Sequence, residues 1–506
     1  MLELLPLFVV VPLGVAFLLP ILDTLKISDW LADALAVVAA GAVLVGSIAL
    51  LPLDGVYWVG GWTPARVLGI SLVADGLAKL LLVTVSVIAL AAIVFSLQYM
   101  GRYTSKGLYY SLFFLMVAGM NGVILAGDLF NLYVFIEIAA IASYALVGFG
   151  CESDELEASF KYLVLGSVAS TFILFGVGIT YNLTGTLNMA QVAQAAPGLA
   201  ANPAMVLVAA FFFLGFGLKA AMVPFHAWLP DAHPSAPAPI SAMLSGVFIK
   251  ASGVYALTRI FFNVLGMSAL YAHVLIALGA LSMVIGVLLA VGQWDFKRLL
   301  AYHSISQMGY VVLALGVGGE VLARGGPQAV AALAIFGGLF HLINHAAFKS
   351  LLFLCSGSIE HETGTRQLKE LGGLMKRMPL TGTCCRIAAL SISGVPPFNG
   401  FWSKLVIVIA VVQAGHWALG AMTVLVSFVT LLSFIKVQRY ALQGQPSARV
   451  LGIGESPALM GAALVALAGI CLVGGLVVPA YRGAVLDPAR DVILAGLEYG
   501  RIALGG

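Results

Sequence analysis

Five ionisable side chains lie within stretches of this chain that are otherwise apolar enough to cross a membrane. They are Glu137, Lys219, Lys250, Lys349 and Lys404. Inserting a charged residue at the centre of a membrane-spanning helix costs roughly 2.5 to 3.5 kcal/mol. Such residues therefore usually face a polar or water-lined interior and mark the path of an ion or of protons. Their number in this chain favours a transporter of small ions.

Glu137 and Lys219 are predicted to form an ion pair inside the membrane. Glu137 follows Asp128 by nine residues in GDLFNLYVFIEIA, which places it roughly 13 Å along a helix that rises about 1.5 Å per residue. At about 4 Å and an effective dielectric constant near 20, the pair would be worth roughly 4 kcal/mol. If Glu137 moved away, burial would favour neutral Lys219 and release its proton. The alternative is a static ion pair that orders two helices.

Lys250 lies near the middle of an apolar run, eleven residues into ISAMLSGVFIKASGVYALTR. Its predicted polar neighbours are Ser245 and Ser252. A lysine at this depth is predicted to act as a central proton carrier. The alternative, a side chain that snorkels to the interface, does not suit its depth.

Titratable side chains recur every four residues in FHLINHAAFKSLLF, at His341, His345 and Lys349. This spacing places them on one helical face and predicts a proton wire. A histidine pair at this spacing also suits a metal, but no acidic or thiol ligand accompanies it. His303 and Gln307 form a shorter strip of the same kind, or alternatively hydrogen bonds between helices.

Two apolar runs are interrupted by proline, each close to one of the lysines. LGFGLKAAMVPFHAWLP contains Pro224 after Lys219, and SISGVPPFNGFWSKL contains Pro396 and Pro397 before Lys404. Proline removes a backbone donor and breaks a helix. Paired interrupted helices in corresponding positions of two halves indicate inverted repeats with the ion path at their interface. Lys404, directly after the second break, is the predicted exit residue.

The connector HAWLPDAHPSAPAPIS follows the first break and holds His226, Asp231 and His233. Its titratable residues favour a point of proton access. Its four prolines favour a rigid connector equally well.

The composition fixes the class of protein. Of 506 residues, 61% are hydrophobic and 9% are charged, whereas a soluble domain carries about 25% charged residues. The chain is therefore a polytopic membrane protein. Its five cysteines include no CxxC pair, so neither a disulfide framework nor a metal or iron–sulfur centre is expected. The net charge of +3 is too small to indicate nucleic-acid binding.

Apolar runs of about 20 residues predict fourteen membrane-spanning helices. Their approximate bounds are 2–21, 30–52, 71–98, 109–127, 129–149, 160–183, 203–224, 239–265, 268–292, 298–318, 327–356, 382–415, 418–441 and 457–480. The hydrophilic stretch 357–381 is predicted to be a surface connector. Lys and Arg are concentrated in alternate connections, which places both termini on the non-cytoplasmic side of the cell inner membrane.

Four segments resemble a known family: GDLFNLYVFIEIA, FGLKAAMVPFHAWLPDAHPSAPAPISAMLSGVFIKASGVY, FHLINHAAFKSLLFLCSG and GVPPFNGFWSK. They are similar to the antiporter-like membrane subunits shared by respiratory complex I, membrane-bound hydrogenases and Mrp cation/proton antiporters. The resemblance covers at least residues 100–440. It implies an all-α membrane protein of about 14 transmembrane helices, with broken seventh and twelfth helices. The implied regions are three N-terminal helices over 1–108, inverted five-helix repeats over 109–265 and 268–441, and a last helix with a short tail over 442–506.

The resemblance also implies a role for each of the charged residues. Glu137 matches the fifth-helix glutamate of the family, and Lys219 matches its partner on the broken seventh helix. Lys250 matches the central lysine of the eighth helix. His345 and Lys349 match the histidine and lysine of the eleventh helix, and Lys404 matches the exit residue of the twelfth. One branch of complex I has a glutamate at that exit position, so Lys404 disfavours that branch.

Size, the context of Glu137 and the FNGFWSK break are most similar to the D subunits of Mrp antiporters. Such a protein would pass protons through Lys250, the 341–349 stripe and Lys404 in exchange for Na⁺, as part of a complex with other membrane subunits. The alternative is a proton-pumping membrane subunit of a redox-driven complex, either a complex I-like NADH–quinone oxidoreductase or a membrane-bound hydrogenase. No cofactor is expected on this chain in either case.

Overall fold

Long apolar helices make up most of the chain, because a backbone in lipid must satisfy its hydrogen bonds internally. A computed structural model describes residues 2–25, 28–62, 69–103 and 105–504, except for the side chain of Ile502. Eleven of the described helices are long and apolar enough to cross a membrane, or up to twelve if one bent pair is counted as a span. Lys26 and Arg66, which entered the prediction of orientation, lie outside the described residues.

The residues that the structure describes in the first half of the chain form ten helices. They are α1 (Leu7–Thr24), α2 (Asp29–Ala49), α3 (Gly76–Tyr99), α4 (Lys106–Leu125), α5 (Leu129–Val147), α6 (Ser153–Thr184), α7 (Met189–Leu199), α8 (Pro203–Lys219), α9 (Leu229–Ser235) and α10 (Ala238–Val264). Within α10, the segments Leu244–Phe248, Lys250–Tyr255 and Arg259–Val264 are π-helical. Such wide turns are rare and often accompany functional sites.

The described part of the second half forms nine further helices. They are α11 (Ala269–Val291), α12 (Phe296–Ala323), α13 (Gln328–Thr363), α14 (Pro379–Ser393), α15 (Asn399–Gln413), α16 (Trp417–Leu442), α17 (Ala458–Val473), α18 (Val478–Leu494) and α19 (Tyr499–Leu504). Short helical turns occur at Leu2–Leu4, Val59–Gly61, Met100–Arg102, Leu368–Glu370, Leu374–Arg377 and Gly496–Glu498.

The helix interruptions lie where proline predicted them. The α8 helix ends at Lys219 and α9 begins at Leu229. The α14 helix ends at Ser393 and α15 begins at Asn399. The predicted span 382–415 is therefore two helices of 15 residues each, since the prolines between them cannot donate a backbone hydrogen bond. The total of fourteen spans and the inverted repeats stay predictions.

The start of the predicted third span, 71–98, is a strand and not a helix. Strand β1 (Gly55–Trp58) pairs antiparallel with β2 (Ser71–Ala74), so the all-α prediction is corrected by one small hairpin. Helix α3 begins only at Gly76, because the Asp75 side chain caps it by accepting a hydrogen bond of 2.9 Å from the backbone of Ala78.

Two polar regions are more ordered than predicted. Helix α13 continues beyond 356 to Thr363, so part of the predicted surface connector 357–381 is helix. After α17 the chain bends by 92° into α18, which packs against α3 and α13. The residues after 480, predicted to be a short tail, therefore cover two of the central helices.

Helices α11 and α12 approach each other closely through small residues. A Cβ atom on Gly279 would lie 2.5 Å from the backbone nitrogen of Leu313, and one on Gly309 would collide with the backbone of Met283. Small residues allow this contact between helix backbones, which is a common way of packing membrane helices. It fixes α12, and with it the polar residues that α12 contributes to the site.

Candidate functional site

Glu137 of α5 and Lys219, the last residue of α8, form a contact between helices. Lys219 Nζ lies 3.6 Å from Glu137 Oε1 and 3.4 Å from the hydroxyl of Tyr144. The Ser170 hydroxyl donates a hydrogen bond to Glu137. The Lys219 side chain is 2% exposed, whereas that of Glu137 is 27% exposed. The lysine side chain is thus fully enclosed by protein. The Glu137 carboxylate is partly exposed, so it has room to move relative to the lysine.

Lys250 is fully buried in the π-helical part of α10. Its ammonium donates to the carbonyl of Ser245 at 2.8 Å. The Ser245 hydroxyl lies 2.7 Å from that of Ser304 on α12. The hydroxyl of Ser252, the other predicted neighbour, bonds instead to the carbonyl of Phe248 on its own helix. The polar contact of the Lys250 region therefore runs toward α12, in the second half of the chain.

His341, His345 and Lys349, the predicted stripe of titratable side chains on α13, are all fully buried. His341 Nδ1 lies 2.9 Å from the hydroxyl of Ser403, and Nε2 lies 3.2 Å from Gln307 Oε1. Lys349 donates to the carbonyl of Leu300 on α12. The stripe therefore contacts α12 at both ends and α15 at the His341 end.

His345, between these two contacts, has no hydrogen-bond partner for either ring nitrogen among the described residues. Its ring stacks edge-on against Phe348, with centroids 5.4 Å apart. A buried polar side chain without a protein partner is rare and needs an explanation such as bound water or a functional role. A histidine that exchanges protons with a neighbour on either side fits that requirement.

Lys404, on α15, reaches back across the break to α14. Its ammonium donates to the carbonyl of Ile392 at 2.8 Å and to the hydroxyl of Ser427 at 3.2 Å. It also lies 4.9 Å from the ring centroid of Tyr310. All of these partners are neutral, so the lysine is an uncompensated cation when protonated.

His303 and Gln307, the predicted polar strip on α12, contact side chains of two other helices. His303 Nε2 lies 2.9 Å from the hydroxyl of Ser433 on α16, while Gln307 contacts His341. Both alternatives that the sequence left open, a proton path and structural hydrogen bonds, agree with these contacts.

The connector after the first break is tied down by ion pairs. Asp231 lies 3.2 Å from Lys161 and 3.3 Å from Arg298. His233 is fully buried, with its ring 4.8 Å from that of Phe353. Asp231 therefore joins three segments of the chain, which agrees with a rigid connector.

Sequence reasoning missed a buried ion pair between α10 and the N-terminus of α3. Arg259 Nη1 lies 2.7 Å from Asp75 Oδ2, and the side chains are 2% and 14% exposed. The guanidinium also lies 4.9 Å from the ring centroid of Tyr499. An arginine inside the apolar run 239–265 was the signal that could have found it. Lys297, which pairs with Glu360 at 3.1 Å, is a second missed contact.

The chain is similar in sequence and in structure to known membrane proteins. Residues 126–430 match the sequence model of the family described as NADH:quinone oxidoreductase/Mrp antiporter, TM. The chain is 40% identical over 455 residues to the N subunit of NADH-quinone oxidoreductase from Desulforudis audaxviator, covering 88% of each. It is 36% identical over 378 residues to the D subunit of the Na⁺/H⁺ antiporter from Alkalihalophilus pseudofirmus, covering 74% of each. A chain of the Mrp complex from Dietzia sp. DQ12-45-1b superposes with a TM-score of 0.88 at 29% identity, over 100% of this chain and 99% of that one.

Proposed function

Because this chain belongs to the NADH:quinone oxidoreductase/Mrp antiporter membrane family, we propose that it is the proton-translocating subunit of an Mrp-type Na⁺/H⁺ antiporter, corresponding to the D subunits of such complexes. The chain is a multi-pass membrane protein. The superposition on a chain of a multisubunit complex supports other membrane subunits as its partners.

The observation that carries this proposal is the contact of Lys219 with Glu137 directly before a helix break. The lysine is buried and the carboxylate lies 3.6 Å away with its other side open. Moving the carboxylate changes the cost of keeping the lysine charged, since desolvation disfavours an unpaired ammonium. The pair thereby converts a small displacement of α5 into loading or unloading of a proton.

From Lys219 the proposed path continues through Lys250 to the stripe of α13. The contact of Ser245 with Ser304 joins the Lys250 region to α12, and Lys349 contacts α12 through Leu300. The proton then passes His345 and His341 and reaches Lys404 beside Ser403 and Ser427. Every carrier along this route is neutral after it has passed its proton on, so no lasting charge is buried.

Two loops with the same hydrogen bonds support the inverted repeats of the family. The loops are LTGTLNMAQ at 183–191 and ETGTRQLKE at 362–370. In each, the second threonine hydroxyl donates to the last side chain, from Thr186 to Gln191 at 2.5 Å and from Thr365 to Glu370 at 2.6 Å. Each loop also forms an isolated antiparallel β-bridge with an aspartate that caps the N-terminus of an earlier helix. Asn188 pairs in this way with Asp128, the cap of α5, and Gln367 pairs with Asp295, the cap of α12. In the predicted topology these loops lie on opposite sides of the membrane, as inverted repeats require.

The test is cation/proton exchange by membrane vesicles that contain the whole complex. Lys250→Ala and Glu137→Ala should each abolish exchange while the complex assembles in normal amounts. Lys376→Ala, at an exposed surface lysine, is the matched control and should leave exchange unchanged. The proposal fails if the Lys250 and Glu137 variants both still exchange ions.

The second candidate function is a proton-pumping subunit of a redox-driven complex. It is favoured by the 40% identity to an N subunit of NADH-quinone oxidoreductase over 88% of both chains. Mass spectrometry of the subunits that co-purify in mild detergent separates the two. Small hydrophobic subunits without redox cofactors would support the antiporter, whereas iron–sulfur, nickel or flavin subunits would support the redox-driven pump.

We also propose that the chain lies in the cell inner membrane and that both of its termini are on the non-cytoplasmic side. Basic residues of the predicted cytoplasmic connections lie together, since Arg298 and Lys161 share the carboxylate of Asp231. Lys297 and Arg366 likewise share Glu360. Reporter fusions at the two termini should be active only on the non-cytoplasmic side, and a cytoplasmic signal at either end would contradict this orientation.

A further inference from the structure

A cavity of about 450 Å³ lies beside the N-terminal end of α5. Oxygen-bearing side chains form part of its wall, among them Asp128, which caps α5, Asn131 of α5 and Gln191 of α7. None of the described side chains that line it carries a positive charge. One water molecule takes up about 30 Å³ of the liquid, so the cavity has room for an ion together with its nearest waters.

Asp128 uses only one of its carboxylate oxygens to cap α5. Its Oδ1 accepts hydrogen bonds of 2.9 Å from the backbone nitrogens of Phe130 and Asn131. Within the part of the chain that the structure describes, Oδ2 accepts no hydrogen bond and forms no ion pair. The side-chain amide of Asn131 likewise bonds to none of the described residues. Both side chains therefore have oxygen atoms available to a ligand in the cavity.

The second half of the chain contains the same arrangement around Asp295. In each half, the residue after the aspartate donates its backbone hydrogen to a loop carbonyl, that of Leu187 at 2.9 Å in the first half and that of Arg366 at 3.0 Å in the second. Each aspartate also caps its helix by accepting a hydrogen bond from the backbone nitrogen three residues further on. Asp128 therefore corresponds to Asp295, and Leu187 corresponds to Arg366.

The two aspartates differ in the group that lies beside them. The Arg366 guanidinium is 3.1 Å from Asp295 Oδ2, so that carboxylate has a positive charge built into its own loop. Leu187 cannot supply a charge, and it lines the cavity beside Asp128. A carboxylate that is partly withdrawn from water is costly without a cation. The described part of the first half thus leaves a negative charge and a space where the second half has an arginine.

The cavity extends along α5 toward the ion pair of Glu137 and Lys219. Val134 lines the cavity, and Glu137 follows Val134 by three residues, or about 4.5 Å of helix. The Glu137 side chain is 27% exposed. A cation that enters beside Asp128 therefore approaches the carboxylate that pairs with Lys219.

We propose that this cavity binds Na⁺ beside Asp128, at the predicted non-cytoplasmic end of α5. The site presupposes the proposed function and holds the cation that is exchanged for protons. Hard cations take carboxylate, amide and water oxygens as ligands, which suits Asp128, Asn131 and a cavity with room for water. The pair of Arg366 with Asp295 shows that a positive charge is accommodated beside an aspartate that caps a helix.

Binding of radioactive Na⁺ to the purified complex in detergent, at constant ionic strength, tests this site. Asp128→Asn removes the charge and keeps a side chain that caps helices well. Leu187→Arg copies the second half of the chain, at a partly exposed position beside the cavity. Each variant should lower the affinity of one Na⁺ site per complex about tenfold or more, because it removes or neutralises the charge that attracts the ion.

Two exposed positions supply the matched controls. Glu498→Gln removes a carboxylate elsewhere, and Asn182→Arg adds an arginine outside the cavity wall. Both variants should bind Na⁺ as the unmodified complex does, so that a general effect of net charge is separated from an effect at the cavity.

Unchanged Na⁺ binding by Asp128→Asn and Leu187→Arg would overturn the site, as would an unmodified complex that binds no Na⁺. If Asp128→Asn does not assemble, Leu187→Arg decides alone. Lys250→Ala separates the site from the proposed function, because it should abolish exchange in vesicles while Na⁺ binding persists. Exchange that survives Lys250→Ala contradicts the proposed function itself, whereas unchanged Na⁺ binding in the two cavity variants contradicts only the site.

Discussion

The ammonium of Lys404 lies 2.8 Å from the carbonyl oxygen of Ile392, so a side chain from the helix after the second break pairs with the last turn of the helix before it. Carbonyls at the end of a helix lack a partner within the helix. Lys404 satisfies one of them and closes the gap that the prolines open. One residue therefore has both a structural and a proposed conducting role, and suitable substitutions separate the two.

Lys404→Gln should abolish transport and preserve stability, whereas Lys404→Met should lose both. The glutamine amide can still donate to Ile392 but carries no proton at neutral pH. Methionine leaves the carbonyl without a partner, at a cost of about 1 to 3 kcal/mol. Thermal unfolding in detergent and exchange in vesicles are the two measurements. A Lys404→Gln complex that still exchanges ions would remove this residue from the path.

Glu137 and Lys219 should be coupled in a double-mutant cycle. Glu137→Gln and Lys219→Met each break the ion pair, and the double variant should be less impaired in stability than the sum of the two. For residues in contact the coupling is expected to be roughly 0.5 to 3 kcal/mol. Glu157→Gln, at an exposed carboxylate paired with Lys161, should show no coupling to Lys219. Additive effects at Glu137 and Lys219 would contradict a working contact.

The buried pair of Arg259 and Asp75 should be more costly to break than to replace. Arg259→Met alone leaves a buried carboxylate without its cation, which costs about 3 to 5 kcal/mol. Asp75→Asn keeps an acceptor for the cap on Ala78 and removes the charge. The double variant should therefore be more stable than Arg259→Met alone, as judged by thermal unfolding of the complex. The opposite order would show that the pair does not carry the stability assigned to it.

Gly400, in the first turn of α15, should not tolerate a methyl group. A Cβ atom there would collide with the backbone carbonyl of Ser391, and a backbone atom cannot move aside as a flexible side chain can. Gly400→Ala should shift α15 against α14, destabilise the complex by about 1 to 3 kcal/mol and reduce transport. Gly178→Ala, at an exposed position with nothing within 4 Å, is the matched control. Equal stability of both variants would show that the two helices are not packed as described.

The sequence predicted those parts of the structure that depend on local chemistry. Apolar length predicted the helices, proline predicted the ends of α8 and α14, and depth in the membrane predicted that Glu137 needs a cation. Lys219 was identifiable as that cation because few charges compete for the role within the membrane. The spacing of His341, His345 and Lys349 indicated their common face directly.

Other features depend on contacts between distant segments, and no spacing encodes those. Asp75 and Arg259 are far apart in the chain, and although Arg259 inside an apolar run indicates a buried charge, nothing in the spacing identifies Asp75 as its partner. The hairpin at 55–58 and 71–74 was missed because its second strand merges with an apolar helix in sequence. Helix α18 was missed because its four charged residues suggest a polar tail and not a helix that packs on the membrane-spanning ones.

Helix α13 has 36 residues and is therefore about 54 Å long, against a hydrocarbon core of about 30 Å. The rod that carries His345 and Lys349 thus extends into water at the end that holds Glu362. A spectroscopic label attached there is fixed to the same rigid body as the deepest groups, and it would report their displacement during turnover from outside the bilayer.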